Sequence, residues 1–408
     1  MTLYEELKWR GLIKDVTSPE LENKLNNEKL TFYIGTDPTA DSMHIGHYSS
    51  FLIAKRLAKA GHKPLLLIGG ATGRIGDPRP TTEREMKSIE EIEKNTKNLK
   101  KQAEEIFGFE VVDNYDWIKN INIIEFLRDY GKYFNINYML DKDIIRRRLE
   151  TGITFTEFSY MLLQSLDFLH LHETRGVNLQ VAGSDQWGNI TSGVDLIRKK
   201  LGDEVYAFTM PLILDQNGKK FGKSEGNALW LDKNKTSSYE LYQYLINTDD
   251  SMIESYLKVF TFLSPEEIMD IVSKHNNEPH LRLGQKTLAR EIITDLHGKE
   301  EYEKAVQISE NLFSGNIKEI NVHDLMIGLK DVPHFILKDE SLLDLLVNNN
   351  ICSSKREARE FLGNNAISVN GEIVNDENMF IDKTKTIEGK IVVIRRGKKK
   401  YYVGLVEE

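Results

Sequence analysis

Residues 31–70 read TFYIGTDPTADSMHIGHYSSFLIAKRLAKAGHKPLLLIGG, and this stretch decides the fold. A strand-like run at 31–37 is followed by a helical pattern at 44–60, which ends at Gly61, and then by a second strand-like run at 63–70. Strands that alternate with helices pair in parallel and are joined by crossover helices. The stretch therefore predicts the beginning of a parallel sheet covered by helices.

The same alternation continues on the C-terminal side of this stretch. Further helices are predicted at 88–107, 156–173 and 189–201, and further strands at 109–114 and 177–182. In the second of these helices the apolar residues recur about every 3.6 positions, as on one face of a helix. We expect an α/β fold with a Rossmann-like, doubly wound parallel sheet, whose ligands bind beyond the carboxyl ends of the strands.

Three of the predicted strands end in glycine followed closely by aspartate. The segments are Gly35-Thr36-Asp37, Gly69-Gly70 leading to Gly76-Asp77, and Gly183-Ser184-Asp185. Glycine lets a ligand approach the backbone closely, and a carboxylate binds amines and ribose hydroxyls. One such segment is an ordinary turn, but three at the same edge of a sheet predict a polar pocket.

The composition of the 408 residues fits a cytoplasmic protein of two or three domains. Apolar residues make up 40% and charged residues 29%, and no apolar run approaches the length of a membrane span. Residues 1–14 lack the long apolar block of a secretory signal. The single cysteine, Cys352, excludes an intramolecular disulfide and disfavours a cysteine-based zinc site.

The net charge of −9 disfavours nucleic-acid binding only if it is spread evenly along the chain, and it is not. Residues 341–408 contain eleven Lys or Arg against ten Asp or Glu, with the basic cluster RRGKKK at 395–400. Salt screens charges that are more than about 10 Å apart, so a local cluster decides whether phosphates bind. A solvated charged turn is the alternative.

The chain changes character after the predicted sheet. Residues 237–320 are helical throughout, and the C-terminal part combines two helical stretches with strand-like runs. We predict an α/β domain at 1–224, an all-α domain at 225–325, a linker at 326–340 and a small α+β domain at 341–408.

Two short motifs carry chemistry that suits a nucleoside triphosphate. In PTADSMHIGH (38–47), His44 and His47 lie three residues apart at the start of a helix, where unpaired N–H groups and the helix dipole favour a phosphate. In KFGKS, Lys220 and Lys223 lie on a glycine-containing loop that can close over a triphosphate. Taken alone, the first motif also fits surface histidines or an incomplete metal site, and the second also fits a solvated loop.

Together these motifs resemble the two signatures of class I aminoacyl-tRNA synthetases, in the form typical of the bacterial tyrosyl-tRNA synthetases. Two further blocks match this family: YMLLQSLD at 160–167 resembles its amino-acid-binding helix, and QVAGSDQWGN at 180–189 resembles its GSDQ block. The resemblance covers nearly the whole chain. It implies an enzyme that activates L-tyrosine with ATP to tyrosyl-adenylate and pyrophosphate, and then transfers tyrosine to the 3′ end of tRNA(Tyr).

Tyr160, Gln164 and Asp167 share one face of the predicted helix. A polar stripe of this kind is often a solvent face. Here it lies among apolar residues, so part of it is expected to be buried, and buried polar groups need partners. A bound tyrosine can supply those partners.

The resemblance implies a role for each matching residue. Those that bind the substrate tyrosine are Tyr33 and Asp167 at its phenolic hydroxyl, and Asp77, Tyr160, Gln164 and Gln180 around its α-ammonium group. Those that contact ATP are Asp37, His44, His47, Gly183 and Asp185, with Lys220 and Lys223 on the departing pyrophosphate. The catalytic set is His44, His47, Lys220, Lys223 and Gln186, the last of which lies near the reacting groups. The substrate carboxylate itself attacks the α-phosphorus, so catalysis rests on positioning and on electrostatic stabilisation.

The loop that follows Asp77 departs from the family pattern. Relatives often carry a lysine there that helps to hold pyrophosphate, whereas this chain has RPTTER at 79–84. A guanidinium group binds phosphate well. We therefore predict that Arg79 or Arg84 takes over this contact.

The C-terminal segment resembles an S4 RNA-binding domain, and residues 225–325 then correspond to the helical anticodon-region domain. Lys355, Arg356 and Arg359 fall on neighbouring helix positions and can contact phosphates, with an ordinary charged helix as the alternative. The resemblance also implies a homodimer. Mg²⁺ is expected to accompany ATP, and the sequence shows no dedicated metal site.

Three alternative functions are open at this point. A tryptophanyl-tRNA synthetase shares the fold and both signatures, but Tyr33, Asp167 and the S4-like segment favour tyrosine. A degenerate synthetase that only binds RNA would tolerate loss of the motifs, and all of them are intact. A class I-fold nucleotidyltransferase that adenylylates a small cofactor would not need the domains that follow residue 237.

Overall fold

The computed structural model describes residues 1–79, 81–224, 227–397 and 400–407, and at residues 223, 224 and 227 it describes the backbone alone. The chain forms two compact units. The first consists of residues 1–235 and 249–284, and the second of residues 236–248 and 285–408.

The strands of the described chain are β1 (Asp15–Val16), β2 (Thr31–Thr36), β3 (Lys63–Ile68), β4 (Glu110–Asp113), β5 (Leu179–Gly183), β6 (Tyr206–Met210), β7 (Lys223–Ser224), β8 (Asn227–Ala228), β9 (His334–Ile336), β10 (Glu340–Ser341), β11 (Ile367–Val369), β12 (Glu372–Ile373), β13 (Phe380–Ile381), β14 (Ile391–Arg396) and β15 (Lys400–Leu405).

The α-helices of the described chain are α1 (Leu3–Trp9), α2 (Leu21–Asn27), α3 (Ile45–Lys59), α4 (Ile89–Phe107), α5 (Tyr115–Ile118), α6 (Ile123–Glu125), α7 (Ile136–Leu140), α8 (Asp143–Arg148), α9 (Phe155–Arg175), α10 (Trp187–Leu201), α11 (Ser238–Ile246), α12 (Ile253–Phe260), α13 (Pro265–Asn277), α14 (Leu283–His297), α15 (Lys299–Ser314), α16 (Val322–Gly328), α17 (Leu342–Asn348) and α18 (Lys355–Gly363). No helix within the described ranges is long and apolar enough to cross a membrane.

In the described part of the first unit, a six-stranded sheet has the order β1-β6-β5-β2-β3-β4. Strands β2 to β6 run parallel, and β1 pairs antiparallel with β6 at one edge. The predicted Rossmann-like, doubly wound parallel sheet is confirmed. The chain builds outward from β2 to β4 and then returns to β5 on the other side of β2, so the strand order reverses between β2 and β5. Ligands of such folds bind at this reversal.

The inner strands of the sheet are largely buried, and most of them were predicted from the sequence. Phe32, Tyr33 and Ile34 of β2 are all buried, as expected for a parallel strand that is covered on both faces. The predicted strands and helices of the sheet agree with β2 to β5, α3, α4, α9 and α10 to within two residues at each end. The prediction missed β6, a short strand in which all five residues are buried.

Helix α9, which carries the predicted tyrosine-binding stripe, has well-defined ends. The Thr154 side chain caps its first turn by accepting from the backbone N–H of Glu157. Its last turn is closed by Gly176, whose φ of 65° is a left-handed conformation that favours glycine. These caps define both ends of the helix that carries the polar stripe.

Helices α12 and α13 belong to the first unit, although the prediction placed all of 225–325 in one helical domain. Phe221 of the KFGKS segment packs against Tyr256 and Phe260 of α12, with ring centroids 4.6 and 4.7 Å apart. This buried aromatic contact ties α12 to the α/β unit. Helical periodicity alone did not reveal which unit a helix packs against.

The second unit combines helices with a five-stranded sheet of order β12-β11-β14-β15-β9 in its described part. Leu312 of α15 and Leu325 of α16 share one apolar core with Ile391 of β14 and Val403 of β15. The predicted helical and S4-like domains are therefore joined through a common core. Residues 326–340, predicted as a linker, instead supply the end of α16 and strand β9, which pairs with β15.

Candidate active site

A cavity of about 300 Å³ opens at the carboxyl ends of β2 and β5, where the strand order reverses. All the residues predicted to bind tyrosine line it: Tyr33, Asp77, Tyr160, Gln164, Asp167 and Gln180. The predicted catalytic residue Gln186 lines it as well. The structure thus brings together side chains from β2, β5 and α9, from the segment after β3 and from the turn that follows β5.

The three strand ends that carry glycine and aspartate meet at this cavity. Asp37 follows β2, Asp77 lies in the segment after β3, and Asp185 follows β5, and all three line the cavity. The predicted polar pocket at one edge of the sheet is confirmed.

Tyr33 lines the cavity and is almost completely buried, and it pairs with Gln180 of the neighbouring strand. Its hydroxyl is buried and has no hydrogen-bond partner among the described residues. Burial, and secondarily the charge of Asp167, hold the pKa of Tyr33 well above its usual range, so the hydroxyl stays neutral. An unsatisfied buried hydroxyl costs about 1–3 kcal/mol. A polar ligand atom bound beside Tyr33 would remove this cost.

Two further side chains orient the carboxyl group of Asp167. Asn114 Nδ2 donates to Oδ2 at 2.9 Å, and Trp117 Nε1 donates to Oδ1 at 3.0 Å. Burial raises the pKa of Asp167 to about 8, against the effect of these two hydrogen bonds. The sequence motifs predict neither partner. Asn114 directly follows β4, so the rule that polar residues at strand ends form the site would have found it, whereas Trp117 lies in a stretch without a regular pattern.

Asp77 is held by a network of amide side chains. Gln186 Nε2 donates to its Oδ2 at 2.8 Å, and Asn189 Nδ2 donates to its Oδ1 at 3.2 Å. Asn189 also donates to Gln164 Oε1 and to Gln186 Oε1, both at 3.0 Å. Asn189 therefore connects three of the predicted site residues, a role that its place in the GSDQ block did not reveal.

Asp37 is held in a similar way. Tyr160 Oη donates to its Oδ2 at 2.8 Å, and Thr72 Oγ1 donates to its Oδ1 at 2.7 Å. Burial raises the pKa of Asp37, and it raises the pKa of Asp77 to about 6. With Asp167, three desolvated carboxyl groups line one cavity. A nearby cation would favour their ionised forms, so the cavity fits a ligand that carries an ammonium group.

His44 and His47 lie at the start of α3, as predicted. His44 Nδ1 accepts from the backbone N–H of Gly46 at 3.0 Å, and His47 Nδ1 accepts from the backbone N–H of His44 at 3.1 Å. Because each Nδ1 accepts, each ring carries its proton on Nε2 and presents an N–H donor there. Burial and the neighbouring His44 lower the pKa of His47 to about 3, so this ring is neutral at pH 7.

A second cavity of about 220 Å³ shares His47 and Asp185 with the first. It is also lined by His44, Gly183 and Lys220, all of which are predicted to contact ATP. The side chain of Lys223 lies outside the described residues. Two adjoining subsites, one polar and closed by Tyr33 and one lined by the histidines, suit a reaction between two substrates.

Backbone hydrogen bonds join the HIGH segment (44–47) to the KFGKS segment (220–224). Leu229 accepts from the backbone N–H of Ile45 at 2.9 Å and donates to the carbonyl of Gly222 at 3.0 Å. Gly222 has a φ of 81°, and a Cβ at this position would collide with the side chain of Ile45. Glycine is therefore required where the two segments approach.

Arg84, and not Arg79, lies at the first cavity. Arg84 lines the cavity, and its Nε donates to the carbonyl of Asp77 at 2.6 Å. The side chain of Arg79 is exposed and lines neither cavity. Of the two arginines predicted to hold pyrophosphate, the geometry favours Arg84.

The three predicted RNA-binding residues lie on α18, in the second unit. All three are exposed, but Lys355 pairs with Asp344 and Arg359 pairs with Glu377. Arg356 forms no ion pair with another described residue. Of the cluster at 395–400, Lys398 and Lys399 lie outside the described residues, and Arg396 donates to the carbonyl of Ile351.

Comparisons with known proteins identify close relatives over the full length. Residues 25–314 match the family described as class I tRNA synthetases (W and Y), and residues 324–404 match the SYY-like C-terminal domain of tyrosine–tRNA ligase. Similar curated proteins are the tyrosine–tRNA ligases of Listeria monocytogenes, 49% identical with 99% of each chain covered, and of Macrococcus caseolyticus, 50% identical with 98% of each chain covered. A solved C-terminally truncated mitochondrial tyrosyl-tRNA synthetase of Aspergillus nidulans is 34% identical with a TM-score of 0.67, and the match covers 76% of this chain and 94% of that one.

Proposed function

Because the chain belongs to the class I tRNA synthetases of tryptophan and tyrosine, we propose that it acts as a tyrosine–tRNA ligase. It activates L-tyrosine with ATP to form tyrosyl-adenylate and pyrophosphate, and then transfers tyrosine to the 3′ end of tRNA(Tyr). The observation that carries the choice of amino acid is the hydroxyl of Tyr33, buried without a partner in a cavity that Asp167 also lines.

A phenolic hydroxyl both donates and accepts hydrogen bonds, so it can donate to Asp167 and accept from Tyr33. Phenylalanine has no polar atom in this position and would leave Tyr33 unsatisfied. The indole N–H of tryptophan can only donate. The pair of Tyr33 and Asp167 therefore selects tyrosine over both other aromatic amino acids.

The α-ammonium group of tyrosine binds among Asp77, Tyr160, Gln164 and Gln180. The support is electrostatic: the raised pKa of Asp77 reports an unfavourable buried negative charge, which an ammonium group would offset. Asn189 already holds Asp77 and Gln164 together, so this part of the cavity is organised before the ligand arrives.

ATP occupies the second cavity, where it contacts His44, His47, Gly183 and Asp185, and it extends to Asp37 and Arg84, which line the first cavity. The tyrosine carboxylate attacks the α-phosphorus, a new oxygen–phosphorus bond forms, and the bond to the β,γ-pyrophosphate breaks. The Nε2–H groups of the two histidines donate to phosphate oxygens, Gln186 lies beside the reacting groups, and Lys220 and Lys223 neutralise the departing pyrophosphate. In the second step a ribose hydroxyl of the tRNA attacks the tyrosyl carbonyl, and AMP leaves.

We expect Mg²⁺ to accompany ATP, where it would neutralise part of the triphosphate charge. Among the residues that the structure describes, no group of three or more His, Cys, Asp or Glu is arranged to hold a metal ion. The cytoplasmic location expected from the composition stays a prediction.

The second unit binds the tRNA. Of the three basic residues on α18, Arg356 is the one that can contact phosphate without giving up an ion pair with another described residue. Its neighbours Lys355 and Arg359 would have to exchange their carboxylate partners for RNA. We assign 1–224 to catalysis, together with α12 and α13, and the S4-like part at 341–408 to RNA contact.

The chain acts as a homodimer. One stretch of the first unit, 123–155, exposes seven large apolar side chains: Ile123, Ile124, Leu127, Ile136, Tyr138, Leu149 and Phe155. Exposed apolar residues concentrated in this way indicate a protein–protein interface.

Replacing Ile124 and Phe155 by Asp should therefore shift the protein from dimer to monomer. Two buried charges without partners weaken an interface by several kcal/mol. Sedimentation velocity at micromolar concentration would measure the change, with Met269→Asp, on the exposed side of α13, as the matched control. A wild-type chain that sediments at its monomer mass of 47.0 kDa would refute the dimer.

Amino-acid-dependent exchange between ATP and pyrophosphate tests the proposed function directly. Tyrosine should support exchange, whereas phenylalanine and tryptophan should support about 100-fold less or none, because they leave buried polar groups unpaired. Charging of tRNA(Tyr) by the same preparation tests the second step. Exchange with tryptophan alone would overturn the substrate, and folded protein without any exchange would favour an RNA-binding role.

A further inference from the structure

A buried ion pair lies behind the loop at 79–84. Arg148, at the end of α8, and Glu157, in the first turn of α9, approach to 3.0 Å between Nη1 and Oε2, with side chains only 3% and 2% exposed. Removing two charges from water costs about as much as their attraction returns, so such a pair adds little stability by itself. The hydrogen bonds of the two side chains to backbone groups show what the pair holds in place.

Both members of the pair bind the backbone of the loop. Arg148 Nη1 donates to the carbonyls of Arg79 and Thr82, both at 3.0 Å. Glu157 Oε1 accepts from the backbone N–H of Arg84 at 2.8 Å. The ion pair therefore fixes the described residues of the loop at three points along their length.

The end of this loop faces the first cavity. The Arg84 side chain lines the cavity, and its Nε donates to the carbonyl of Asp77 at 2.6 Å. Glu157 lies on the same helix as Tyr160 and Gln164, which line the cavity too. Neither Arg148 nor Glu157 lines the cavity, so any effect that they have on the reaction passes through the residues that they hold.

We propose that Arg148 and Glu157 are positioning residues, which hold the 79–84 loop so that the guanidinium group of Arg84 meets the departing pyrophosphate. This inference rests on the proposed function. The pair fixes the backbone of the loop relative to α9. The position of α9 therefore determines the position of Arg84 as well as that of the bound tyrosine. Displacement of a catalytic contact by about 1 Å can lower a rate about 100-fold. Residues outside the cavity that hold Arg84 in place can therefore affect the reaction rate.

A double-mutant cycle on the exchange reaction separates positioning from a general structural role. Arg84→Ala should lower kcat/KM for ATP about 100-fold, as expected when a charged contact to the leaving group is lost. Arg148→Lys keeps the charge, but its side chain is one atom shorter and lacks the Nε–H that donates to the carbonyl of Gly152, so it should lower kcat/KM about 10-fold. In the Arg84→Ala background, Arg148→Lys should have an effect smaller than about twofold, because the residue that it positions is already missing.

Three measurements accompany the cycle. The KM for tyrosine should change less than about twofold in Arg148→Lys, because the side chains proposed to bind tyrosine lie on α9, on β2 and β5 and at Asp77, outside the loop that Arg148 holds. Arg147→Lys is the matched control, since Arg147 is exposed and binds only Asp143 among the described residues, and Arg79→Ala should also leave exchange unchanged. Should Arg148→Lys fail to fold, Glu157→Gln replaces it in the cycle, since its amide oxygen still accepts from Arg84 but the ion pair is lost.

Each outcome decides the proposal. Non-additive losses with an unchanged KM for tyrosine support positioning through Arg84. The proposal would be overturned if the losses of kcat/KM multiplied in the double variant, or if the KM for tyrosine rose in parallel. Normal exchange by the Arg84→Ala variant would overturn it as well. A wild-type chain without tyrosine-dependent exchange would instead refute the proposed function, so the two failures are distinguishable.

Discussion

Asp167→Asn should raise the KM for tyrosine about 100-fold in the exchange reaction, with the KM for ATP changed less than about twofold. The carboxyl group accepts one hydrogen bond from Asn114 and one from Trp117. An amide has a single oxygen, so one of these N–H donors would face the NH₂ group of the new side chain. Loss of the acceptor for the tyrosine hydroxyl adds to this, and each unsatisfied buried group costs about 1–3 kcal/mol.

The matched control is Asp116→Asn, at an exposed aspartate one residue before Trp117. Thermal unfolding would show whether Asp167→Asn keeps its fold, and Tyr33→Phe provides an independent test of the same contact. Normal tyrosine kinetics in both Asp167→Asn and Tyr33→Phe would remove these residues from the substrate site.

His47→Asn should lower kcat for exchange about 100- to 1000-fold, the effect typical of removing one preorganised donor from a developing charge. The Oδ1 atom of asparagine can still accept from the backbone N–H of His44, so the start of α3 is preserved. What is lost is the Nε2–H donor that faces the ATP site in our proposal. The free energy of unfolding should change by less than about 1 kcal/mol.

His62→Asn provides a control for the structural part of this effect. His62 is buried, and its Nδ1 also accepts from a backbone N–H, that of Leu30, but it lies just before β3, at the opposite edge of the sheet from the cavities. A similar small change in stability with normal exchange is expected. Equal losses of kcat in the two variants would show that His47 acts through the fold rather than on ATP.

The sequence predicted the sheet because its strands and helices repeat in a simple order. Strands β2 to β5 and the long helices between them follow from local patterns, and the position of the cavity follows from the topology. The division into units did not follow, because it depends on contacts such as Phe221 against α12 and α15 against β14, between segments far apart in the chain.

For the site, too, the sequence predicted the residues that lie in local motifs and missed those that act through long-range contacts. Residues that lie in recognisable motifs, such as His44, Asp77 and Gln186, all line the cavities. The residues that hold them in place were missed: Asn114 and Asn189 act through hydrogen bonds that only the folded chain creates. The resemblance suggested what each motif binds, but no local pattern marks a side chain whose only function is to orient another.

The backbone bonds of Leu229 to Ile45 and Gly222 have a consequence for the order of folding. The bond to Ile45 joins segments that lie far apart in the sequence, and such contacts form late because closing a long loop costs chain entropy. During synthesis, the sheet can assemble from β2 to β6 before residue 229 has emerged. The groups proposed to bind tyrosine are therefore in place first, and those proposed to bind triphosphate meet last, so that a partly made chain holds a structured pocket without a complete reaction centre.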